Sequence, residues 1–332
     1  MELLFDIPRV GVAVDGPPES PRHLVDWRRT LEAYADLSAG IDPTREGYLS
    51  HFVFGPDMAE HHRANGGSVK GFAGPCWAKW LTFDIDRPEL ADALAAAQRL
   101  VAFLTQRFPE IDGALPVYFS GRKGFHVGLE LPEPEPSPVF HDVAKTLADG
   151  LATAAGVAID LSIYDRNRII RLPNSRHAKT GLYKRRIDAD DLVRMSVEHV
   201  LERAKHPAGD GIRAVGDRLP NVLRDWETAA RLTSERGRER AAIRRDAAAG
   251  ETRAPKYLHE FIRFGVAEGE RALTLFRCAA ALAELGCPPA AVAAVLDEPG
   301  RDNGLAPSEV RRQIQCGIDH ARRQRGEGGP PP

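Results

Sequence analysis

The chain has 332 residues, of which 43% are hydrophobic and 28% are charged. These proportions are typical of an ordinary globular protein and exclude the disordered and membrane-embedded classes. The length suits one large domain followed by a small one. With 45 Lys and Arg against 47 Asp and Glu, the charge of the whole chain predicts no nucleic-acid partner, so any basic surface must be local.

The four cysteines are widely separated and form no C-x-x-C pair, which argues against a disulfide framework and against a zinc ribbon. We therefore expect reduced thiols. The N-terminal residues include Glu2 and Asp6 and contain no long apolar run, so we expect neither a signal peptide nor a membrane anchor. Together these observations predict a cytoplasmic protein without a membrane partner.

Residues 1–24 are rich in Pro and Gly, which predicts an irregular lead-in, and a helical pattern follows over residues 24–37. Residues 38–76 are predicted to be rich in loops. An apolar run over residues 77–85 ends in carboxylates and predicts a buried strand. Apolar side chains that share one face then predict a helix over residues 88–108, with a proline in its first turn.

Two further strands are predicted over residues 117–120 and 125–131, joined by a turn at residues 121–124. A helix over residues 140–155 and a short strand over residues 157–161 follow. The order strand, helix, strand, strand, helix, strand is typical of a ferredoxin-like split unit, so we predict an α+β fold.

The rest of the sequence predicts helices. We expect one over residues 190–202, a charged helical linker over residues 205–256, and a small all-α domain over residues 257–325. Three helical patterns lie in that last domain, at residues 272–285, 289–296 and 308–324. The first domain is predicted to cover residues 1–204, and residues 326–332 are predicted to be a disordered tail.

Asp84 and Asp86 end the apolar run and can carry chemistry together. Side chains two residues apart share one face of a strand, so this pair can bridge a metal ion. Hard cations such as Mg²⁺ prefer oxygen ligands, and two such ions can activate an attacking oxygen and stabilise a leaving one. The same pattern occurs in sugar-nucleotide transferases and in phosphatases with an aspartate nucleophile. The phosphatases, however, have Thr or Val where Pro88 stands here.

A second candidate site is the turn with the sequence Ser120-Gly121-Arg122-Lys123-Gly124-Phe125-His126. Its two glycines let the backbone approach an anion, while the arginine, lysine and histidine supply hydrogen-bond donors. Phosphate binding is the natural use of such a turn. The alternative is a charged hairpin turn with a solvated Arg-Lys pair and a half-buried histidine.

A local basic patch lies between Leu161 and Arg186, where eight basic residues accompany one acidic residue, Asp165. The basic residues are Arg166, Arg168, Arg171, Arg176, Lys179, Lys184, Arg185 and Arg186. Apolar residues are interleaved with them, which predicts strands with one basic face and not a solvated run of charge. A triphosphate or a nucleic-acid backbone is a fitting partner.

Taken in this order, the three motifs resemble those of the archaeo-eukaryotic primase superfamily, which includes primase small subunits and primase-polymerases. The family motifs are an apolar strand ending in D-x-D, then S-G-R-x-G-x-H, then an acidic residue followed by R-x-x-R. This chain matches them with Asp84 and Asp86, with Ser120 to His126, and with Asp160, Arg168 and Arg171. The resemblance covers roughly residues 40–190, and some family members have Ser at the position of Gly124.

The resemblance implies a catalytic core that contains an RRM-like or ferredoxin-like split βαβ sheet. It implies that two ions, Mg²⁺ or Mn²⁺, are held by the carboxylates of Asp84, Asp86 and Asp160. It further implies that the incoming nucleotide is contacted by Ser120, Gly121, Arg122, Lys123, His126, Arg168, Arg171, His177 and Lys179. Residues 268–322 look like the helical C-terminal domain of plasmid and phage primases.

By this resemblance the chain is expected to be a DNA primase and polymerase that uses nucleoside triphosphates on a single-stranded DNA template. Two alternatives stay open: a repair polymerase of the end-joining type that does not prime, and a non-catalytic DNA-binding module of replication. The sequence contains no G-x-x-x-x-G-K-[ST] loop, so a helicase partner would be a separate chain. A zinc site from His51, His61, His62 and Cys76 is disfavoured, because adjacent histidines are poorly spaced ligands, and a surface loop is expected instead.

Overall fold

The computed structural model describes residues 9–111, 114–132, 135–211, 219–248, 255–267 and 269–325. The predicted tail at residues 326–332 lies outside these ranges, as do parts of the predicted lead-in and linker. The chain divides into two compact units, residues 1–231 and residues 232–332. None of the helices in the described ranges is long and apolar enough to cross a membrane.

The strands of the described residues belong to two sheets. They are β1 (Val10–Asp15), β2 (His23–Asp26), β3 (Gly47–Ser50), β4 (Val53–Phe54), β5 (Cys76–Trp77), β6 (Trp80–Asp86), β7 (Val117–Phe119), β8 (Gly124–Glu130), β9 (Ile169–Arg171) and β10 (Arg185–Ile187). The first sheet has the order β5-β4-β1-β3-β9, with β2 also paired to β1, and the second has the order β10-β7-β8-β6. The strand pairs are antiparallel.

Helices connect and follow these strands. They are α1 (Trp27–Ala35), α2 (Pro56–Ala64), α3 (Leu90–Arg107), α4 (Phe140–Ala154), α5 (Ala189–Leu192), α6 (Val197–Arg203), α7 (Pro220–Ala248), α8 (Lys256–Phe264), α9 (Arg271–Glu284), α10 (Pro289–Asp302) and α11 (Pro307–Gln324). Short 3₁₀ helices lie at Pro109–Ile111 and Leu161–Tyr164. The prediction of a fold that mixes helices with antiparallel strands is therefore confirmed.

Strand β6 alternates between a buried face and a polar face. Phe83 and Ile85 are fully buried among the side chains of the main core, whereas Asp84 and Asp86 point to the opposite face. Burial of each large apolar side chain stabilises the fold by roughly 1.5–3 kcal/mol. The carboxylates therefore project from a strand that packing holds in place.

Strand β8 lies between β6 and β7, which α3 connects along the chain. The strand register places Asp84 opposite His126 on one side, and Tyr118 opposite His126 on the other. Because directly opposed side chains of neighbouring strands share a face, these three residues form a row across the sheet. This row lies on the same face as Asp86.

The prediction of a fourth strand for the split unit, at residues 157–161, is wrong. Residues 157–160 form no strand, and the backbone N–H of Asp160 donates a hydrogen bond to the carbonyl oxygen of Asp84 (2.9 Å). The Asp160 carboxylate then accepts from the N–H of Ser162 (2.9 Å) and caps the 3₁₀ helix Leu161–Tyr164. A side chain that bonds its own backbone in this way ends pairing with the sheet.

Two earlier segments also differ from the prediction. The helix expected over residues 24–37 begins only at Trp27, because His23–Asp26 pair with β1 and the Asp26 carboxylate caps the helix by accepting from the Arg29 N–H (2.9 Å). Residues 38–76, predicted as loops, contain β3, β4 and α2. Such short strands depend on partners that are distant in sequence, which a local pattern does not reveal.

Part of the segment predicted as a linker packs into the first unit. Helix α7 begins at Pro220, and Val222 and Ala229 on its first turns are buried in the main core. The ring of Trp226 lies 4.7 Å from that of Phe140. In the second unit, the patterns predicted at residues 272–285, 289–296 and 308–324 correspond to α9, α10 and α11, which pack around a separate apolar core.

Candidate active site

Three acidic residues lie near the C-terminal end of β6. Asp84 and Asp86 project from the same face, with 22% and 43% of their side chains exposed. Asp160 joins them through the hydrogen bond from its backbone N–H to the carbonyl oxygen of Asp84. Its carboxylate also accepts from the N–H and the hydroxyl of Ser162, at 2.9 and 3.0 Å, and these bonds fix its orientation. The structure therefore places Asp84 and Asp86 on one face of β6, with the backbone of Asp160 bonded to that of Asp84.

The surroundings of Asp84 disfavour its negative charge. Burial raises the pKa of Asp84 to about 7, and the charges of Asp86 and Asp160 act in the same direction. Its Oδ1 atom is buried and has no hydrogen-bond partner among the described residues. Because a buried, unpartnered carboxylate oxygen is unfavourable, a cation bound between these carboxylates would stabilise the site.

The donor set fits a divalent cation such as Mg²⁺ or Mn²⁺, since hard cations prefer carboxylate oxygens. Within the described ranges, no three His, Cys, Asp or Glu side chains are already grouped closely enough to hold a metal ion. The fit is therefore one of ligand chemistry. A bound cation would most directly provide a partner for the buried Oδ1 of Asp84.

The turn between β7 and β8 is closed by Ser120 and packs against the carboxylates. The Ser120 N–H donates to the carbonyl oxygen of Gly124 (2.9 Å), and the Ser120 hydroxyl accepts from the Gly124 N–H (3.2 Å). A Cβ at Gly124 would overlap Oδ1 of Asp86 and the carbonyl oxygen of Ile85, so a side chain at this position requires the carboxylate and the backbone to move. The Lys123 ammonium lies 3.2 Å from Oδ2 of Asp86. The turn thus brings a positive charge directly to the carboxylates.

His126 faces Asp84 across the pair of strands. Its Nε2 lies 3.6 Å from Oδ1 of Asp84, and its Nδ1 is buried without a partner in the described part of the chain. Burial lowers the pKa of His126 well below its ordinary value, and the charge of Lys184 acts in the same direction. A neutral imidazole has one nitrogen that donates and one that accepts. His126 can therefore donate a hydrogen bond into the cleft without carrying a charge.

The two arginines of the R-x-x-R stretch have different surroundings. Arg168 is exposed and lines the cleft. Arg171 is buried, and its guanidinium donates to Oε1 of Glu46 (2.8 Å), to the Tyr48 hydroxyl (2.6 Å) and to the carbonyl oxygen of Arg176 (3.0 Å). Contact between Arg171 and a phosphate stays a prediction, because protein partners already engage both terminal nitrogens of its guanidinium.

One cleft of about 250 Å³ collects most of the predicted site residues. Those that line it are Asp84, Asp86, Ser120, Arg122, Lys123, His126, Arg168, Arg171 and His177. Of the others, Gly121 belongs to the same turn, and Asp160 reaches the cleft only through its neighbour Asp84. Lys179 is exposed, and its backbone N–H donates to Nδ1 of His177 (3.1 Å).

Lys184 is a site residue that the sequence analysis did not single out. Its side chain is buried, and its ammonium donates to the carbonyl oxygen of Arg171 (2.7 Å) and lies 5.0 Å from the ring centre of Tyr118. Burial lowers the pKa of Lys184 to about 7, although the nearby Asp84 carboxylate opposes this effect. The only signal in the sequence was its place in the basic patch, where seven similar residues concealed it.

The residues considered for zinc occupy separate surroundings. His61 and His62 lie on α2 and not on the expected surface loop. A ring nitrogen of His61 contacts the carbonyl oxygen of Lys70 (3.0 Å), and burial raises the pKa of the Cys76 thiol to about 11. A buried, protonated thiol is a poor metal ligand. These residues form no zinc site within the described ranges.

Comparison with known proteins gives a short similarity in sequence. No protein-family model matches the chain. A stretch of 56 residues is 45% identical to the DNA primase small subunit PriS of Haloarcula marismortui. That stretch is 17% of this chain and 14% of the relative, so the match spans a small part of either protein.

A comparison with solved structures returns the crystal structure of primase RepB′. The similarity has a TM-score of 0.37 at 12% sequence identity, and it covers 98% of this chain and 96% of the other. The chain itself is a mixed helical and antiparallel-strand protein with a cleft lined by both acidic and basic residues.

Proposed function

We propose that this chain is a template-directed nucleotidyltransferase of the primase-polymerase kind, acting on nucleoside triphosphates and single-stranded DNA. The observation that carries the proposal is one cleft lined by the carboxylates of Asp84 and Asp86 and by a basic turn. Asp160 adjoins them through the hydrogen bond from its backbone N–H to the carbonyl oxygen of Asp84. Carboxylates beside phosphate-binding cations are what nucleotidyl transfer requires. The order of the motifs and the short similarity to a primase small subunit support the same class.

Asp84, Asp86 and Asp160 would hold the divalent ions. When bound, such ions activate the attacking hydroxyl and offset the charge on the leaving pyrophosphate. In the proposed reaction the 3′-hydroxyl oxygen of a primer, or the hydroxyl of a first nucleotide, bonds to the α-phosphorus and loses its proton to solvent. The bond from that phosphorus to the bridging oxygen breaks, and pyrophosphate leaves.

The chain's own basic groups would position the triphosphate. Arg122 and Arg168 are exposed at the cleft, and guanidinium groups match phosphate oxygens in pairs. His126, kept neutral by burial, would donate one hydrogen bond to a phosphate oxygen. The buried ammonium of Lys184 adds positive potential beneath Asp84. Charge arranged before the substrate arrives costs no reorganisation during the reaction.

The proposal is tested by incubating the protein with single-stranded template, Mg²⁺ or Mn²⁺, and either ribonucleotides or deoxyribonucleotides, with and without a primer. We expect extension of the primer, and products without a primer would establish priming. Extension alone would instead favour a repair-type polymerase. DNA binding without incorporation under any condition would favour a non-catalytic DNA-binding module and contradict the proposal.

The matched variant combines Asp84→Asn with Asp86→Asn, which removes the charges but keeps the shapes. We expect at least a roughly 100-fold loss of incorporation, because loss of an outer partner of a metal ligand alone costs up to about that much. The control combines Asp92→Asn with Asp149→Asn, two exposed carboxylates on α3 and α4. Retained incorporation in the first variant would refute the metal assignment.

A further inference from the structure

A hairpin loop at residues 176–183, here called the clasp, lies between two parts of the cleft. Arg176 and Tyr183 form a bridge at its base, and the N–H of His177 donates to the carbonyl oxygen of Leu182 (2.8 Å). The N–H of Gly181 donates a hydrogen bond to the carbonyl oxygen of His177 (2.8 Å). The clasp is therefore closed by its own hydrogen bonds and carries His177 into the cleft.

One side of the clasp is tied to the chain just before β3. The carboxylate of Glu46 accepts from the Arg171 guanidinium (2.8 Å), the Tyr48 hydroxyl (3.0 Å) and, at 3.4 Å, the Ala178 N–H of the clasp. Arg171 in turn donates to the carbonyl oxygen of Arg176 (3.0 Å). Burial acts to raise the pKa of Glu46, but these hydrogen bonds outweigh it and lower that pKa, so the carboxylate stays charged.

The other side of the clasp is tied to the turn between β7 and β8. The hydroxyl of Thr180 donates to the carbonyl oxygen of Gly121 (2.6 Å). Gly121 has a φ of +89°, and a Cβ there would lie 3.2 Å from the carbonyl oxygen of Leu182 and 3.3 Å from Cβ of His177. The turn and the clasp therefore approach each other as closely as backbone without a side chain allows.

We propose that Glu46 and Thr180 are positioning residues that hold the basic groups on the two sides of the cleft at the spacing a triphosphate needs. This inference rests on the proposed function. Burial lowers the pKa of His177, and the nearby charges of Arg171 and Arg122 act in the same direction, so the clasp lies close to both arginines. Arginines gathered at one cleft repel each other unless other bonds hold them in place. The neutral bond from Thr180 and the counter-charge of Glu46 supply those bonds without occupying the cleft.

The first test is Thr180→Val, which removes the hydroxyl and keeps the shape. The hydroxyl also accepts from the Leu182 N–H within the clasp (3.2 Å), so two hydrogen bonds between neutral groups are lost. Loss of the one that reaches Gly121 predicts a roughly three- to tenfold rise in the KM for deoxyribonucleoside triphosphates, with kcat within about twofold. Thr180→Ser should restore the KM. The matched control is Thr228→Val, because that exposed hydroxyl donates to a backbone carbonyl oxygen (2.9 Å) on α7, away from the cleft.

The second test is Glu46→Gln, which removes the counter-charge of Arg171. We expect a larger rise in KM than for Thr180→Val, since the lost partner is charged. Glu32→Gln is the control, because Glu32 is also paired with an arginine, Arg28, but on the exposed surface of α1. An unchanged KM in both Glu46→Gln and Thr180→Val would overturn the proposal.

Hydrogen exchange separates failure of this inference from failure of the proposed function. Amide exchange over residues 119–126 should be faster in Thr180→Val than in wild type or Thr228→Val. If the wild-type protein incorporates no nucleotide, the proposed function fails, and unchanged exchange in Thr180→Val would then overturn the clasp as well. If Thr180→Val lowers both kcat and the thermal stability, and Thr180→Ser restores neither, Thr180 has a purely structural role. That result would also overturn the inference.

Discussion

The acidic wall of the cleft (Asp84, Asp86 and Asp160) and its basic wall (Arg122, Lys123, Arg168 and His177) are built differently. The acidic wall begins on β6, where Phe83 and Ile85 anchor the strand in the main core. The basic wall consists of side chains on turns, and Arg122 and Arg168 are exposed. Packing therefore fixes Asp84 and Asp86, whereas hydrogen bonds hold Asp160 and the loops that carry the basic residues.

This difference explains why Arg168 and Arg171 have different roles, one in the cleft and one in holding the loops. Arg168 presents its charge to the cleft, while Arg171 is held by Glu46 and Tyr48 and supports the loops around it. The loops that carry the basic residues are held by such internal ion pairs and by hydrogen bonds. Among the carboxylates, Asp86 has an ion pair with Lys123 (3.2 Å). Burial, reinforced by the charges of Asp86 and Asp160, raises the pKa of Asp84 to about 7.

The sharpest test of this comparison is to remove each arginine in turn. Arg171→Ala removes a buried guanidinium and leaves the partly buried Glu46 carboxylate without its counter-charge, so we expect a loss of about 3 kcal/mol in the free energy of unfolding. Arg168→Ala removes an exposed side chain and should change that free energy by less than about 0.5 kcal/mol while raising the KM for nucleotide. Urea denaturation and steady-state kinetics measure the two effects. Equal losses of stability in Arg171→Ala and Arg168→Ala would contradict these different roles.

The contact between the walls at Gly124 is the next place to test. A Cβ at this position would overlap Oδ1 of Asp86, so Gly124→Ala must displace the carboxylate or the turn. A shift of about 1 Å in a catalytic group can reduce a rate about 100-fold, and we expect a loss of this size in kcat. Gly150→Ala is the control, because a Cβ there meets open space on α4 and should stabilise the helix slightly. Normal kcat in Gly124→Ala would show that Asp86 is not held by this contact.

Strands β6, β7 and β8 and the helix α3 were the part of the fold that the sequence could predict. The alternation of β6, the long helix after it and the hairpin of β7 and β8 are local patterns, and the structure has all of them. Strands β1 to β5 and β9 are short and pair across long separations in sequence. Nothing in a window of ten residues indicates such pairs, and this is why residues 38–76 were predicted as loops.

The candidate site shows the same limit. Motifs located the residues that point into the cleft, because glycines, carboxylates and arginines at these spacings have few other uses. Glu46, Tyr48 and Lys184 were missed, since their roles depend on Arg171 and on burial, which only the folded chain brings about. The strand predicted at residues 157–161 is absent for a related reason: Asp160 makes one backbone hydrogen bond to β6, and its carboxylate then caps a 3₁₀ helix in place of further pairing.

Beneath the acidic wall, His51 provides a test that depends on pH. Burial, with a smaller effect of Lys184, lowers the pKa of His51 to about 3. As pH falls from about 6.5 to about 3, His51 binds a proton in the unfolded state but not in the folded state. The free energy of unfolding therefore decreases over that window. His51→Leu should flatten this decrease by up to about 1.4 kcal/mol per pH unit in urea denaturation. An unchanged slope would mean that His51 is protonated in the folded protein.

The smallest predicted effect concerns the ion pair that joins the two walls. With its ammonium 3.2 Å from Oδ2 of Asp86, Lys123 competes with a cation for that carboxylate. Because partly exposed ion pairs contribute about 0–1 kcal/mol, Lys123→Ala should strengthen binding of Mn²⁺ without nucleotide by about two- to fivefold. Electron paramagnetic resonance of free Mn²⁺ measures this affinity directly. Lys79→Ala is the control, since Lys79 forms a similar pair with Glu130 (3.6 Å). Weaker Mn²⁺ binding in Lys123→Ala would mean that this lysine supports the carboxylates and does not compete for them.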